Sequence, residues 1–245
     1  MLRSSVRACS TAVCAVLLPL LIAACGADES AKLPTQVLQD ASTATKAVST
    51  YHVYGTGATS TSSFDLHIGG PDAVSGTLTE SGVTAGVIIA KGAGYLKGKA
   101  YLEQAASPQI ASLVGDSWLK LPASSAADLA QSFVAITNTK QLAGCLVTGL
   151  NGLTLEKSTG TVNGQPVVVV QAGALSLSFA SSGPTYLVRV KSTAAVPSFD
   201  DCLNGTTGSS SSSQPATSGG TVNFDSWGSS VSVTPPPNPV NLAGG

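Results

Sequence analysis

The sequence predicts an α+β domain: one helix with an apolar face, then antiparallel strands in two meanders with a short helical segment between them. Three observations lead there. Apolar residues recur at helical spacing from Leu33 to Thr50. From Tyr51 the period changes to two. Turn pairs such as Ser81-Gly82 and Asn163-Gly164 punctuate the alternating segments.

In the helix, Leu33, Val37, Leu38, Ala41, Ala44, Ala47 and Val48 share a face, and Pro34 suits its first turn. A face built largely of alanine lets a helix lie close to a sheet. In the first strand Tyr51, Val53 and Gly55 alternate with His52 and Tyr54. In the second, Phe64, Leu66 and Ile68 alternate with Asp65 and His67, so one face is apolar and the other wet. Strands over Ala73–Glu80, Val83–Ala90 and Tyr95–Leu102 follow, with a short one over Ser117–Leu121. Pro122 ends this meander, and Ser124 or Ser125 can cap a helix over Ala126–Ile136. A helical piece over Thr139–Val147 carries Cys145. The second meander runs Leu153–Val162, the Asn163-Gly164 turn, and Gln165–Gln171. The run Val167–Val170 is apolar on both faces, so it predicts cover on both. Leu175, Leu177 and Phe179 then alternate with serines, and Tyr186, Val188 and Val190 alternate with Leu187, Arg189 and Lys191. Residues 204–220, rich in Ser and Gly, read as a flexible loop. Thr221–Val233 resumes strand.

Ahead of the domain stands a segment of another kind. Arg3 and Arg7 precede an uncharged apolar run that ends in Ala23-Ala24-Cys25. This is the pattern of a secretory signal peptide with a lipoprotein processing site. Residues 1–24 are then the signal, Cys25 the acylated N-terminus, 25–32 a tether, 33–237 a single domain and 238–245 a disordered tail. A transmembrane helix needs about 20 apolar residues; this run is shorter and contains Pro19.

Cleavage before Cys25 removes two of the 12 basic residues and none of the 13 acidic ones, leaving a net charge of −3. Nucleic-acid binding needs concentrated Lys and Arg and is excluded as the main role. Cys9 and Cys14 leave with the signal. Cys145 and Cys202 remain as a pair outside the cytoplasm and predict a disulfide. His52 and His67, the chain's 2 histidines, have no clustered cysteine or carboxylate beside them in sequence, so no metal site is expected and each reads as a solvated side chain.

The order of elements, together with Val87-Ile88-Ile89, Gly94-Tyr95-Leu96-Lys97-Gly98, Ser117-Trp118-Leu119-Lys120-Leu121, Val162-Asn163-Gly164-Gln165-Pro166-Val167 and Val222-Asn223-Phe224-Asp225-Ser226-Trp227-Gly228 running on to Pro235-Pro236, resembles the actinobacterial LppX/LprG lipoprotein family. More remotely it resembles the LolA/LolB lipoprotein-carrier fold. The resemblance implies a strongly bent antiparallel half-barrel wrapped over helices, with an apolar cavity for acyl chains between them. It implies binding or carriage of an acylated lipid or glycolipid in the cell envelope, with no cofactor. The candidate cavity residues are Val37 and Val48 from the helix and Val87, Ile89, Leu175, Leu177, Phe179, Tyr186 and Val188 from the strands. The other reading is an envelope lipoprotein that binds a protein partner as an accessory or sensor.

Catalytic chemistry is not expected. Gly115-Asp116-Ser117 resembles the nucleophile block of one esterase class, but a serine nucleophile needs a histidine base, and none follows His67. Gly92 to Lys99 departs from the phosphate-loop spacing, and Ala100 stands where a Ser or Thr is needed.

The processing site makes a direct prediction. Radiolabelled palmitate fed to a bacterial host should label the wild type and not Cys25→Ala; equal labelling of both would overturn the assignment.

Overall fold

The computed structural model of the chain describes residues 28–57, 61–204 and 219–242. The signal segment, Cys25 and most of the Ser-rich segment lie outside the described residues. Among those described, no helix is long and apolar enough to cross a membrane.

The architecture is an open, curled sheet of 12 strands with helices against its apolar face. The first meander comprises β1 (Tyr51–Thr56), β2 (Ser63–Ile68), β3 (Ala73–Glu80), β4 (Val83–Ala90), β5 (Ala93–Lys97) and β6 (Leu119–Lys120). The second comprises β7 (Leu155–Val162), β8 (Gln165–Ala172), β9 (Leu175–Ala180) and β10 (Leu187–Ser192). β11 (Gly220–Asp225) enters between β1 and β10 and joins the two, antiparallel to both. β12 (Val240–Asn241) pairs in parallel with β6 at the far edge. The tail expected from residue 238 is therefore partly ordered: the Val240 N–H donates to the Trp118 carbonyl at 2.8 Å.

Turn chemistry sets the registers. Asn163 and Gly164 both have positive φ, 50° and 79°, as the two-residue hairpin requires. Gly76 (φ 154°) is needed for another reason: a Cβ there would lie 2.0 Å from the Asp65 carbonyl oxygen of the neighbouring β2. A side chain there would push β3 away from β2.

Helix α1 (Pro34–Lys46) buries Val37, Leu38 and Ala41. It ends before Val48, short of Thr50, because the following residues turn into β1 and the Thr50 carbonyl accepts from the Gly228 N–H at 2.8 Å. Two helices, α2 (Lys99–Ala105) and α3 (Pro108–Val114), fill the segment after β5. The predicted strand over Tyr95–Leu102 is thus corrected. Gly98, at φ 142°, ends β5, and Lys-Ala-Tyr-Leu-Glu-Gln-Ala is good helix-forming sequence. Ser107 then caps α3, its Oγ accepting from the Ile110 N–H. Helix α4 (Ala123–Ser132) starts directly after Pro122 with no side-chain cap, so neither Ser124 nor Ser125 serves as one. Next come α5 (Val134–Thr137) and α6 (Thr139–Thr148). Helix α7 (Pro197–Asn204) follows β10.

One large apolar cluster runs from Val37 and Leu38 of α1 through Leu142 and Leu146 of α6 to the sheet residues Val53, Leu66, Val87, Val170, Leu177 and Phe179. The disulfide Cys145–Cys202 bolts α6 to α7 across a separation of 57 residues, as expected. A second cluster, of Leu102, Ala111, Val114 and Leu119, seats α2 and α3 on the β6 end.

The expected tether is docked on the domain from Glu29 onward. Glu29 lies in a 3-10 turn (Glu29–Ala31) and is 2% exposed. Its carboxylate accepts from Thr185 Oγ1 at 2.8 Å and from Lys32 Nζ at 2.7 Å. Lys32 also reaches Asp40 at 2.6 Å, and the two carboxylates, Asp40 first, hold its ammonium above the usual lysine range. Lys157 of β7 donates to the Ser30 and Lys32 carbonyls.

The closed loop of 57 residues predicts that the disulfide contributes about 4 kcal/mol through the unfolded state. Urea unfolding of Cys145→Ala/Cys202→Ala should show a loss of about 2–5 kcal/mol; a loss below 1 kcal/mol would show that the bond is dispensable.

Candidate functional site

Each strand of the curled sheet offers two faces. Tyr51 and Val53 of β1 point into the apolar interior, and His52 and Tyr54 point the other way.

On the inner side, Val37, Val87, Ile89, Leu175, Leu177 and Phe179 meet in one cluster, each 2% exposed or less. Strand alternation placed five of these on a common sheet face and helical spacing placed Val37 on the apolar face of the helix, and the packing of α1 on the sheet brings them together. The other three candidates go elsewhere. Val48 lies beyond the end of α1 and is half-buried, near Gly228. Tyr186 is half-buried and stacks on Trp227, ring centroids 5.4 Å apart. Val188 packs with Val162 and Val167, a cluster on the opposite face of the sheet. The cause is a bulge: Leu187 opposes Phe179 while Arg189 opposes Ser178, so the inward phase slips and Leu187 joins the main core. Val168 and Val170 face the core while Val167 and half-buried Val169 join Val162, Ala180 and Val188 of neighbouring strands on the outer face, so both faces of the strand make apolar contacts, with the main core on the inner one.

Two hydroxyls in this interior stand out. Tyr51 Oη and Thr45 Oγ1 are buried, and neither has a hydrogen-bond partner among the described residues. Burial pushes the Tyr51 phenol pKa far upward, so it is a neutral donor. Its ring packs on Trp227, centroids 4.5 Å apart, and on Phe224 at 6.0 Å. Trp227 Nε1–H is satisfied by the Leu187 carbonyl at 2.9 Å.

The outer face holds a polar arrangement the sequence did not disclose. His52 and His67 oppose each other in the β1–β2 register, with rings stacked 4.6 Å apart. His52 Nε2 lies 2.9 Å from Asp65 Oδ1, and its Nδ1 lies 3.0 Å from Asp225 Oδ1 on β11. Burial disfavours the charged imidazole, but the hydrogen bonds to Asp65 and Asp225 and their negative charges outweigh it, so its pKa is raised. Next to them Asn163 donates to Tyr54 Oη at 2.8 Å, and Arg189 Nε donates to Asn223 Oδ1 at 2.6 Å. An open hollow of about 460 Å³ on this face is lined by Tyr54, Thr56, Asp65, Thr77, Thr221 and Asn223, with Gly55, Ser63 and Phe64. His52, Asp65 and His67 offer ligand atoms within 4.8 Å of one another. The reading of two isolated, solvated histidines with no carboxylate at hand is corrected accordingly. Strand alternation put both on the wet face; only the register of β1, β2 and β11 shows that they meet each other and two carboxylates.

Ser117 lies two residues before β6, and the strands β5, β4 and β3 stand between β6 and the nearer histidine strand, β2. No serine–histidine pairing is formed there.

The curled sheet with its helices superposes on the crystal structure of LprF from Mycobacterium bovis with a TM-score of 0.53, at 17% sequence identity, covering 83% of this chain and 96% of that one. This chain shares the LprF fold. The crystal structure of the lipoprotein LppX from Mycobacterium tuberculosis is similar at a TM-score of 0.47 and 15% identity, covering 82% of this chain and 98% of that one. No protein-family model matches the chain, and no curated protein matches its sequence. In the LprF-like arrangement described here, the apolar face and the helices define the interior, and the histidine pair lies outside it.

The placement of Val188 and Val87 on opposite faces predicts unequal effects. Val87→Trp should cost about 1–3 kcal/mol by overpacking the core, whereas Val188→Trp, at the outer cluster, should cost less. Chemical denaturation of both variants checks this; equal costs would contradict the assignment of faces.

Proposed function

We propose that the protein is a membrane-anchored lipoprotein of the bacterial cell envelope, held by acyl groups on Cys25, that binds or carries an acylated lipid or glycolipid between the curled sheet and its helices. The observation that carries this reading is an apolar interior with two buried hydroxyls that have no partner among the described residues, Tyr51 Oη on β1 and Thr45 Oγ1 on the buried face of α1. A buried hydroxyl without a partner costs about 1–3 kcal/mol. An ester or amide carbonyl of an acylated ligand would accept from it and offset that cost. The acyl chains would supply the rest, at roughly 0.8 kcal/mol for each buried methylene before the costs of binding.

Val37, Val87, Ile89, Leu175, Leu177 and Phe179 pack closely in the described conformation. Acyl chains would therefore have to part the helices from the sheet. Half-buried Phe64, Leu78 and Val222 fringe the same cluster and would be the first apolar surface such a chain meets. Apolar contact is non-directional, so chain type would be tolerated and headgroup selection weak. No catalytic step is invoked, and the LprF-like fold is consistent with a binding role.

A second reading, a protein-binding accessory or sensor, is favoured by the close packing of the interior and by the polar hollow of about 460 Å³ on the outer face.

Native mass spectrometry of the Cys25→Ala chain, made in a host containing acylated lipids, decides between them. Lipid adducts should accompany the wild-type interior and fall several-fold in Val87→Trp, while Val188→Trp keeps them. Apoprotein alone, with no uptake of a fluorescent phospholipid, would favour the protein-binding reading. Tyr51→Phe should stabilise the lipid-free chain by about 1 kcal/mol in urea unfolding, because it removes an unsatisfied hydroxyl, and should lower lipid retention; a destabilised variant with unchanged retention would contradict the role given to Tyr51.

A further inference from the structure

We propose that His52, His67 and Asp65 form a binding site for a divalent transition-metal ion of the Zn²⁺ class on the polar face of the sheet, with Asp225 holding His52 in the metal-binding tautomer. The site lies on the opposite face from the proposed lipid interior and does not depend on that reading.

The first argument is placement. The chain has 2 histidines, and strand pairing sets them directly opposite each other. Asp65, two residues before His67 on the same face of β2, reaches His52 Nε2 at 2.9 Å. The three ligand atoms lie within 4.8 Å of one another. A tetrahedral ion bound at about 2.1 Å from each ligand holds those ligands about 3.4 Å apart. The His52–Asp65 pair must then open by roughly half an ångström and the third ligand close in. Asp65 and His67 are exposed side chains, free to make that adjustment by rotation.

The second argument is the shell behind the ligands. Asp225 Oδ1 sits 3.0 Å from His52 Nδ1 and itself accepts from the Ser226 hydroxyl at 2.9 Å. A proton held on Nδ1 by this carboxylate leaves the Nε2 lone pair aimed toward Asp65 and available to a metal. Such carboxylate–histidine pairs orient metal-binding imidazoles and raise their basicity. Asp65 and Asp225 together also match the charge of a divalent ion.

The third argument is donor chemistry. Two imidazoles and one carboxylate suit Zn²⁺ and its late first-row neighbours rather than Mg²⁺ or Ca²⁺, which prefer oxygen ligands alone. Three protein ligands leave a coordination position for water or an exogenous group. Asp65 also lines the outer hollow, so that position borders a concave surface.

The test uses the full chain in mild detergent, free of any histidine tag and stripped with chelator, titrated calorimetrically with ZnCl₂. The expected result is saturable uptake of one ion per chain. His67→Ala and His67→Gln should each weaken it at least ten-fold, Asp65→Asn comparably, and Asp225→Asn less than either. Co²⁺ should give the intense visible bands of a four-coordinate site in the wild type and lose them in both His67 variants. Far-UV circular dichroism of the metal-free variants should match the wild type, because His67 is exposed. Absence of saturable Zn²⁺ binding, or unchanged affinity in either folded His67 variant, would overturn the proposal.

Discussion

The structure depends on the insertion of β11 between β1 and β10. Without it, the two meanders have no hydrogen-bonded connection and each ends in an unpaired edge. β11 satisfies both edges at once: Val53 opposes Phe224, Tyr54 opposes Asn223, and Arg189 opposes Asn223 from the other side. The Asn223 side chain accepts from Arg189 Nε and donates to the Tyr54 carbonyl, so one buried amide spans three strands. Phe224 and Trp227 then close the interior over Tyr51. This strand is almost the last of the sheet in sequence and pairs with the first. Such non-local pairing carries a large loop-closure entropy cost, which slows folding.

Most of the sheet was legible because its information is local. The bounds of β3 and β4 follow from alternation between turn pairs, and Asn163-Gly164 fixes the β7–β8 register almost unaided. What failed was less local. The helical conformation of Lys99–Ala105 was hidden because Tyr101-Leu102 repeats the Tyr95-Leu96 pair of β5 at an even spacing, and only the backbone of Gly98 marks the break. Leu187 was assigned to the wrong face because a bulge leaves no signature in a two-residue period. The order in Val240–Asn241 depends on a parallel partner, β6, that no hairpin connects to it. The docking of Glu29 was equally invisible, since its partner Thr185, and the Lys157 that holds the Ser30 and Lys32 carbonyls, are distant in sequence.

The candidate sites divide along the same line. The apolar interior could be read because each element carries its own inward residues; six of nine named positions share the core for that reason, Val37 from the face of α1 and the other five from strands. The histidine site could not, because it is a property of register. Nothing in Tyr51-His52-Val53 or in Asp65-Leu66-His67 alone says that the two histidines will stack. The sum of the paired positions decides it: once Gly55 opposes Phe64, His52 must oppose His67.

The two faces of β1 therefore carry separate physics on one backbone. Tyr51 and Val53 sit in the low-dielectric interior, where a polar atom needs a partner or a ligand. His52 and Tyr54 sit where water, carboxylates and amides meet. Because successive side chains point to opposite sides, no residue of the strand serves both. A change at His67 reaches the polar network alone, and a change at Val87 reaches the apolar interior alone. The backbone of β1 is pinned on one side by β2 and on the other by β11. An ion bridging His52 and Asp65, with Asp225 behind it, would tie these same three strands together through their side chains, at the place where the two meanders are joined.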